Sequence, residues 1–431
     1  MKKIRVGVMG AYRGTSMIRY CKQADNAEVV AICDKWEEGI KRQKEANAER
    51  DITYYTDFDE FIKHDMDAVV LANYANEHAP FAIKAMKAGK HVFSEVLPFQ
   101  TMQEAVELIE TVEETGKIYA YGENYCYMKG PYEMKKRYEA GTIGEIEYAE
   151  GEYFHNGENV WPSLAYGDPT HWRNKMYSTF YCTHSFGPIR HITGLRPVSV
   201  VGFEASGKAN ERKNRMGAGG AAFGIEMITL ENGAIVKSGH GGAYKNSIWW
   251  ELYGSKGRMD TDREEVLGKE GRNNLYISAD EYSGGYSTEK KEHYIPEDTM
   301  DDKLKHFGHG GSDFWSMYYF IERILGDKKA DFIDVYEAVE MALVGHFAYR
   351  SILAGGKPME IPDLRKKEER DVWRNDVSCT DERVAGESVW PTRKGGTPKI
   401  DKEVYAYQKK LYQEGLNKKD GYIAAQFRQN K

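Results

Sequence analysis

A chain of 431 residues is long for one domain, and two domains with an appendage is the expected arrangement. Its 41% hydrophobic content supports a real core, nothing approaches a membrane-spanning run, and a formal net charge of −7 gives no electrostatic footprint for nucleic acid. The five cysteines are odd in number and form no C-x-x-C pair, so a reduced, cytoplasmic protein is expected, with neither disulfides nor a cysteine zinc site.

Lys2 to Gly10 reads as a short apolar strand; the Met-Lys-Lys start resembles that of a secretion signal, but Gly7 and Gly10 break the apolar stretch. Ala11 to Ser16 turns the chain, Met17 to Ala24 supplies a helix, and Glu28 to Asp34 is the next strand, ending in an acid. That order puts backbone N–H groups at a helix N-terminus, where a pyrophosphate can sit, and a carboxylate where a ribose diol can be bound. A nicotinamide dinucleotide is the expected cofactor, with Gly10, Ala11, Tyr12, Arg13 and Gly14 in the turn and Asp34 at the ribose. Asp34 would repel a 2′-phosphate, which favours NAD over NADP. The turn departs from G-x-G-x-x-G, because Tyr12 and Thr15 stand where glycines belong and Gly14 comes one place early, as if the turn were a residue shorter.

Alternation continues with a strand at Asp67–Ala72, a helix at His78–Ala88 and a strand at Gly89–Glu95. A helix follows at Thr101–Thr115, opened by threonine and closed near Gly116, then a strand at Ile118–Tyr121. Such alternation predicts a doubly wound parallel sheet. Between about 145 and 300 the apolar period becomes two, at Ile146–His155, Val198–Ala205, Ala221–Leu230, Ala234–His240 and Ile248–Tyr253. This predicts a large, mostly antiparallel open sheet covered on one face. Helices return at Asp313–Leu325 and Val335–Leu353. The polar tail from about 364 carries Trp373 and Trp390, ends in a lysine-rich helix at Lys402–Leu416, and reads as a solvated packing arm. The expected fold class is an α/β Rossmann domain over 1–125 and an α+β sheet domain over 126–360, with a C-terminal extension over 361–431.

The order of these elements, with Asp67-Ala68-Val69-Val70, Asn76-Glu77-His78 and Ala88-Gly89-Lys90-His91-Val92 … Glu95, resembles the Gfo/Idh/MocA oxidoreductase family over roughly residues 3 to 360. Ordinary dehydrogenases of that family carry Glu-Lys-Pro after the fourth strand and an aspartate four residues before a catalytic histidine. Here the chain reads Glu95-Val96-Leu97-Pro98, and Phe180 precedes His184. A branch lacking the same groups is similar to NAD-dependent glycosidases of the α-N-acetylgalactosaminidase kind. Its landmarks are Glu123-Asn124-Tyr125-Cys126-Tyr127, Glu150 to His155, His171-Trp172-Arg173, Tyr181 to Pro188 and Gly308 to Asp313.

The resemblance implies transient oxidation at C3 of a sugar, loss of the C2 proton, elimination of the C1 leaving group, hydration and re-reduction. It places His184 and Tyr181 at the reacting centre, with Glu123 touching nicotinamide ribose and substrate and His309 in the site. Cofactor contacts are implied at Asn76, His78, Glu95, Asn124, Trp172 and Arg173, and substrate contacts at His155 and Tyr153. No H-x-x-x-H or similar spacing supports a metal, so none is expected. The alternatives are a sugar or polyol dehydrogenase with net NADH production, and a catalytically silent NAD-binding regulator. The expected partners are a small carbohydrate and further copies of the chain through the open sheet, with neither nucleic acid nor membrane.

Overall fold

The computed structural model describes residues 3–205, 207–263, 272–283, 286–297, 300, 304 and 307–418; Lys2 of the expected first strand and the end of the tail beyond 418 lie outside them. Strands β1 (Ile4–Met9), β2 (Ala27–Cys33), β3 (Thr53–Tyr55), β4 (Ala68–Leu71), β5 (His91–Ser94) and β6 (Tyr119–Tyr121) form a six-stranded sheet in the order β3-β2-β1-β4-β5-β6. Every pairing in it is parallel. The strand order reverses between β1 and β4, which opens a crevice at their C-terminal ends.

Helices α1 (Thr15–Gln23), α2 (Glu37–Ala46), α3 (Phe58–Phe61), α4 (His78–Lys87) and α5 (Met102–Thr115) connect the strands. The sequence signals explain their ends. Thr101 and Glu104 close a capping box on α5, and Gly116 ends it at φ 63°. Gly10 turns the chain at φ 112°, and a Cβ there would run into the Ala72 carbonyl. A Cβ at Gly14 would press on the Gly10 carbonyl and on Val8 Cγ1 at 2.5 Å, so this early glycine does the packing of the missing third one. Helix α1 accordingly begins two residues before the expected Met17.

After α6 (Lys129–Glu139), strand β7 (Ile146–Phe154) enters a second sheet, followed by the short helix α7 (Trp161–Ala165) and by α8 (Thr183–Thr193). Strands β8 (Pro197–Ala205), β9 (Phe223–Leu230), β10 (Ile235–Gly241), β11 (Ser247–Gly254), β12 (Gly257–Thr261), β13 (Leu275–Ser283) and β14 (Tyr286–Tyr294) follow, with α9 (Lys208–Met216) between β8 and β9. Helices α10 (Ser312–Ile324) and α11 (Val335–Leu353) precede strand β15 (Met359–Glu360), which completes a nine-stranded sheet in the order β14-β13-β12-β11-β7-β10-β9-β8-β15. The sheet is antiparallel except where β10 runs parallel to β7. Helix α8 lies across it, on strands β7, β10 and β11, and α11 packs on β8, β9, α8 and α5.

The seat of α8 is a row of four residues in register across four strands: Glu226, Ser238, Gly151 and Trp250. Trp250 Nε1 donates to the Ser185 carbonyl at 3.1 Å, and the Ser185 and Ser238 hydroxyls meet at 2.8 Å. Gly151 is there because a Cβ would overlap that carbonyl.

The tail is more than a solvated arm. Arg370 of α12 (Lys367–Trp373) and Arg374, which caps that helix, pair with Glu113 at 2.7 Å and Glu110 at 2.6 Å on α5. The Trp390 ring lies 4.9 Å from the Arg350 guanidinium carbon, while Ile361 and Leu364 join the core. Helices α13 (Glu382–Ala385) and α14 (Lys402–Asn417) follow, the last matching its expected position. All five cysteines are free and buried.

Gly151→Ala should force α8 off the sheet at a cost of about 1–3 kcal/mol, the usual range for overpacking against an element that cannot yield. Thermal unfolding followed by circular dichroism should show an earlier transition, and an unchanged one would mean that the helix is not seated on this glycine.

Candidate active site

His184 stands in the first turn of α8 and is buried. Its Nδ1 lies 2.6 Å from Glu123 Oε1. A carboxylate only accepts, so Nδ1 carries the hydrogen and Nε2 of the neutral ring is left as a proton acceptor. Glu123 follows β6, also takes the Tyr125 N–H at 3.3 Å, and leaves its Oε2 without a partner among the described residues. It is fully closed to solvent. Contact with ribose and substrate is the expectation for Glu123; in the structure its Oε1 meets the His184 ring, and Oε2 is the oxygen left over.

Three tyrosines wall His184, with ring centroids at 4.4 Å (Tyr125), 4.7 Å (Tyr153) and 4.9 Å (Tyr181). Burial pushes the Tyr181 hydroxyl up, and the nearby Arg173 charge opposes that shift. The Arg173 guanidinium lies 5.8 Å from the Tyr181 ring and 4.4 Å from that of Trp172. His155, 5.7 Å from Tyr153, is pushed down by burial and by the proximity of His184. His309 sits at the opposite rim, its ring 6.1 Å from Tyr125 and its backbone at φ 55°, an unusual conformation for a residue other than glycine. The expected centre of His184, Tyr181, Tyr153, His155 and His309 therefore converges.

Sequence reasoning missed two members. His240 on β10 stacks on Tyr153 at 5.8 Å with ring planes 5° apart and donates from Nδ1 to the Ser178 carbonyl at 2.9 Å. Burial pushes it down to about 3, so it stays neutral. Asp313, taken from sequence as part of a helix start, is a fully buried hub. It accepts two bonds from Arg13 at 2.8 and 2.9 Å, one from Asn124 at 3.0 Å, and meets His309 Nδ1 at 3.1 Å. Burial alone would raise its carboxyl, but the charges of Arg13 and His309 hold it well below the usual range. Glu95 shares Arg13 at 2.7 Å and is the weaker claimant: burial pushes it to about 7 against the pull of the guanidinium.

The cofactor groove lies between Asp34 and this hub. Asp34 takes the Ala11 N–H at 2.7 Å on one oxygen and the Trp36 N–H at 2.9 Å on the other, which locks the turn and leaves lone pairs for a ribose diol. Burial raises its carboxyl, and those two N–H donors oppose the rise. Helix α1 has neither a side-chain cap nor an acid in its first turn, which suits its N-terminus to a pyrophosphate. Buried polar atoms of Asn76 (Oδ1), Asn124 (Oδ1) and Trp172 (Nε1) have no partner among the described residues. A dinucleotide fits these donors and acceptors. His78 is buried, bonds the Leu97 carbonyl through Nδ1 at 3.0 Å, is pushed down to about 4 by desolvation, and has no partner for Nε2 among the described residues. Among the described residues no three His, Cys, Asp or Glu side chains gather as metal ligands.

This architecture is shared with solved structures. Myo-inositol 2-dehydrogenase from Lactobacillus plantarum superposes with a TM-score of 0.63 at 18% identity, covering 84% of this chain and 100% of its own. A levoglucosan dehydrogenase in complex with NADH and levoglucosan gives 0.64 at 17%, with 84% and 100% covered. Among curated proteins, glycosyl hydrolase family 109 proteins match from Solibacter usitatus, 26% identical over 84% of this chain and 88% of theirs, and from Streptomyces filamentosus, 27% over 85% and 78%. The Gfo/Idh/MocA model, described as an oxidoreductase family with an NAD-binding Rossmann fold, matches residues 4–123, and the model for the glycosyl hydrolase 109 C-terminal domain matches residues 227–371. One chain thus carries an N-terminal domain similar to the Gfo/Idh/MocA NAD-binding domain and a C-terminal domain similar to that of glycosyl hydrolase family 109. Its cofactor is NAD, the dinucleotide that the matched Rossmann domain binds.

Asp34→Ala should weaken NAD binding and narrow the preference over NADP, since a ribose acceptor and a repulsive charge are lost together. Titration calorimetry with both dinucleotides measures it; equal affinities in the unchanged protein would remove Asp34 from this role.

Proposed function

We propose that the protein is an NAD-dependent glycoside hydrolase that cleaves by transient C3 oxidation, C1–C2 elimination, hydration and re-reduction of the sugar. The observation that carries the reading is a carboxylate-held histidine inside a ring of tyrosines, at a site where Val96 replaces the lysine of ordinary dehydrogenases. Relatives named as glycosyl hydrolases match over most of both chains.

NAD, when bound, supplies the hydride acceptor and gives the same hydride back. His184 Nε2 takes the proton of the C3 hydroxyl, and Glu123 steadies the imidazolium through Nδ1 at 2.6 Å. The C3 ketone acidifies the C2 hydrogen, which passes as a proton to the oxygen of Tyr181 in its phenolate form; the Arg173 cation opposes the rise that burial imposes on that hydroxyl. Electrons from the C2–H bond expel the C1 substituent, and water adds back at C1. Tyr153, His155 and His309 line the sugar, while Asn124, Glu95, Trp172, Arg173 and Asn76 hold the cofactor with the 10–14 turn. Residues 1–125 serve as the NAD domain, 126–360 as the substrate domain and 361–431 as an extension. Copies of this cytoplasmic chain associate through the open face of the nine-stranded sheet, where Phe203, Ile235 and Tyr253 are exposed.

His184→Ala should lower glycoside turnover by about 10²-fold or more, the scale for losing a general base. Glu123→Gln should also slow it, because an amide can leave Nδ1 without its hydrogen. Assay on a panel of aryl glycosides checks both, and a His184→Ala enzyme of full activity would return that ring to a packing role.

Hydrolysis in deuterated water should place deuterium at C2 of the released sugar and build up no stoichiometric NADH. Mass spectrometry of the sugar and absorbance at the NADH band read the two results. Steady NADH formation with the glycosidic bond intact would make the protein a dehydrogenase.

A further inference from the structure

Beyond the reacting centre, an aromatic cluster stands beside Asp34 that the mechanism leaves unused. The Tyr74 ring has Lys35 Nζ 4.1 Å above it and the His171 ring edge-on at 4.8 Å. Tyr166 meets His171 at 5.5 Å, hydrogen-bonds Tyr74 through its hydroxyl, and feels the charge of Asp34. His171 Nδ1 accepts the Arg173 N–H at 3.2 Å, so its hydrogen is on Nε2. Burial pushes His171 down to about 3 and keeps it neutral, and Nε2 is itself buried with no acceptor among the described residues. An unsatisfied buried donor within three aromatic rings, next to the ribose carboxylate, calls for a flat heteroaromatic partner.

The outer side of this cluster comes from the far end of the chain. Tyr412 of α14 packs on Tyr166 at 5.0 Å and lies near Glu38 and Arg42 of α2, the helix that follows Asp34. Helix α14 is fastened where it crosses. Gly167, at φ 69°, leaves no space for a Cβ beneath the Tyr405 carbonyl, which would lie 2.5 Å from it. The Tyr405 hydroxyl donates to the Gly217 carbonyl at 3.2 Å, and Gln408 Nε2 to that of Arg215 at 3.4 Å. One helix thereby touches both rims of the groove.

We infer that Tyr74, Tyr166 and His171 form the adenine pocket and that α14, through Tyr412, straps it shut so that NAD stays bound from one turnover to the next. The inference rests on the NAD-dependent reading above. A purine offers a π face to the tyrosines and ring-nitrogen acceptors to His171 Nε2–H. An enzyme that returns its hydride gains nothing by exchanging cofactor, whereas a dehydrogenase must release NADH each cycle. The dehydrogenase neighbours, with nearly all of their own length aligned, cover 84% of this chain and leave a remainder to it.

The test is exchange of NAD labelled in its adenine, loaded on the full-length protein and chased with unlabelled NAD. Tyr412→Ala should shorten the retention half-time by about tenfold, the upper range for one aromatic contact. A chain ending after Ile400 should exchange at least as fast. Tyr407→Ala, on the exposed side of the same helix, should match wild type. Dissociation of nicotinamide mononucleotide, which has no adenosine, should be the same in Tyr412→Ala and wild type. Equal NAD half-times in wild type, Tyr412→Ala and the shortened chain would overturn the strap, and a wild type that takes up no NAD would overturn it with the cofactor assignment. Exchange involves no turnover, so retention through Tyr412 in a protein that cleaves no glycoside supports the strap and removes the hydrolase reading alone.

Discussion

The hydrogen bond between Glu123 and His184 joins the two halves of the molecule. Its carboxylate comes from the end of the parallel sheet, and its imidazole from a helix laid on the antiparallel one. A carboxylate taken wholly out of water is tolerated only when its partner is held in place. Much of the packing serves that end. Helix α8 is seated on the row of Ser238, Gly151 and Trp250, and α11 runs between the two sheets, bearing on β8, α8 and α5. Arg370 and Arg374 tie the tail back to α5, so the Rossmann unit is held from that side as well.

Arg13 plays the corresponding part at the cofactor end. One guanidinium faces two carboxylates, Asp313 and Glu95, and cannot neutralise both. Asp313 receives the bidentate contact and the added support of Asn124 and His309, so it keeps its charge; Glu95 is left to take up a proton near neutrality. The arrangement explains the odd turn of the first strand. A residue at 13 with a long cationic arm links the phosphate loop to the 308–313 segment, a task that a turn of glycines alone could not perform. The left-handed backbone at His309 is held by that same segment.

Much of the fold was legible because its signals are local. Caps at Thr101 and Gly116, the turn at Gly10 and the change of apolar period near 145 each state their structure within a few residues. Strands β12 to β14 were not, since they are short or carry charge on both faces, as the Glu- and Lys-rich Tyr286–Tyr294 shows. Within the site, His184 and His309 were visible through their unusual neighbours. His240 was not, because a histidine at one place in a period-two strand looks like any other. Asp313 looked like the acid of a helix start, and its true partner, Arg13, lies 300 residues away. Long-range charge pairing leaves no mark on a single sequence.

The cysteines carry a consequence of another kind. All five are buried, and desolvation pushes Cys21 and Cys33 to about 12 and Cys379 to about 11. Reactivity toward oxidants and electrophiles belongs to the thiolate, which is nearly absent at neutral pH under those conditions. The lack of disulfides is often taken as a mark of a reducing compartment, yet here the thiols are sheltered wherever the protein resides. Burial shields these thiols from ambient oxidants, and a cysteine introduced on the surface would be far more open to a labelling reagent.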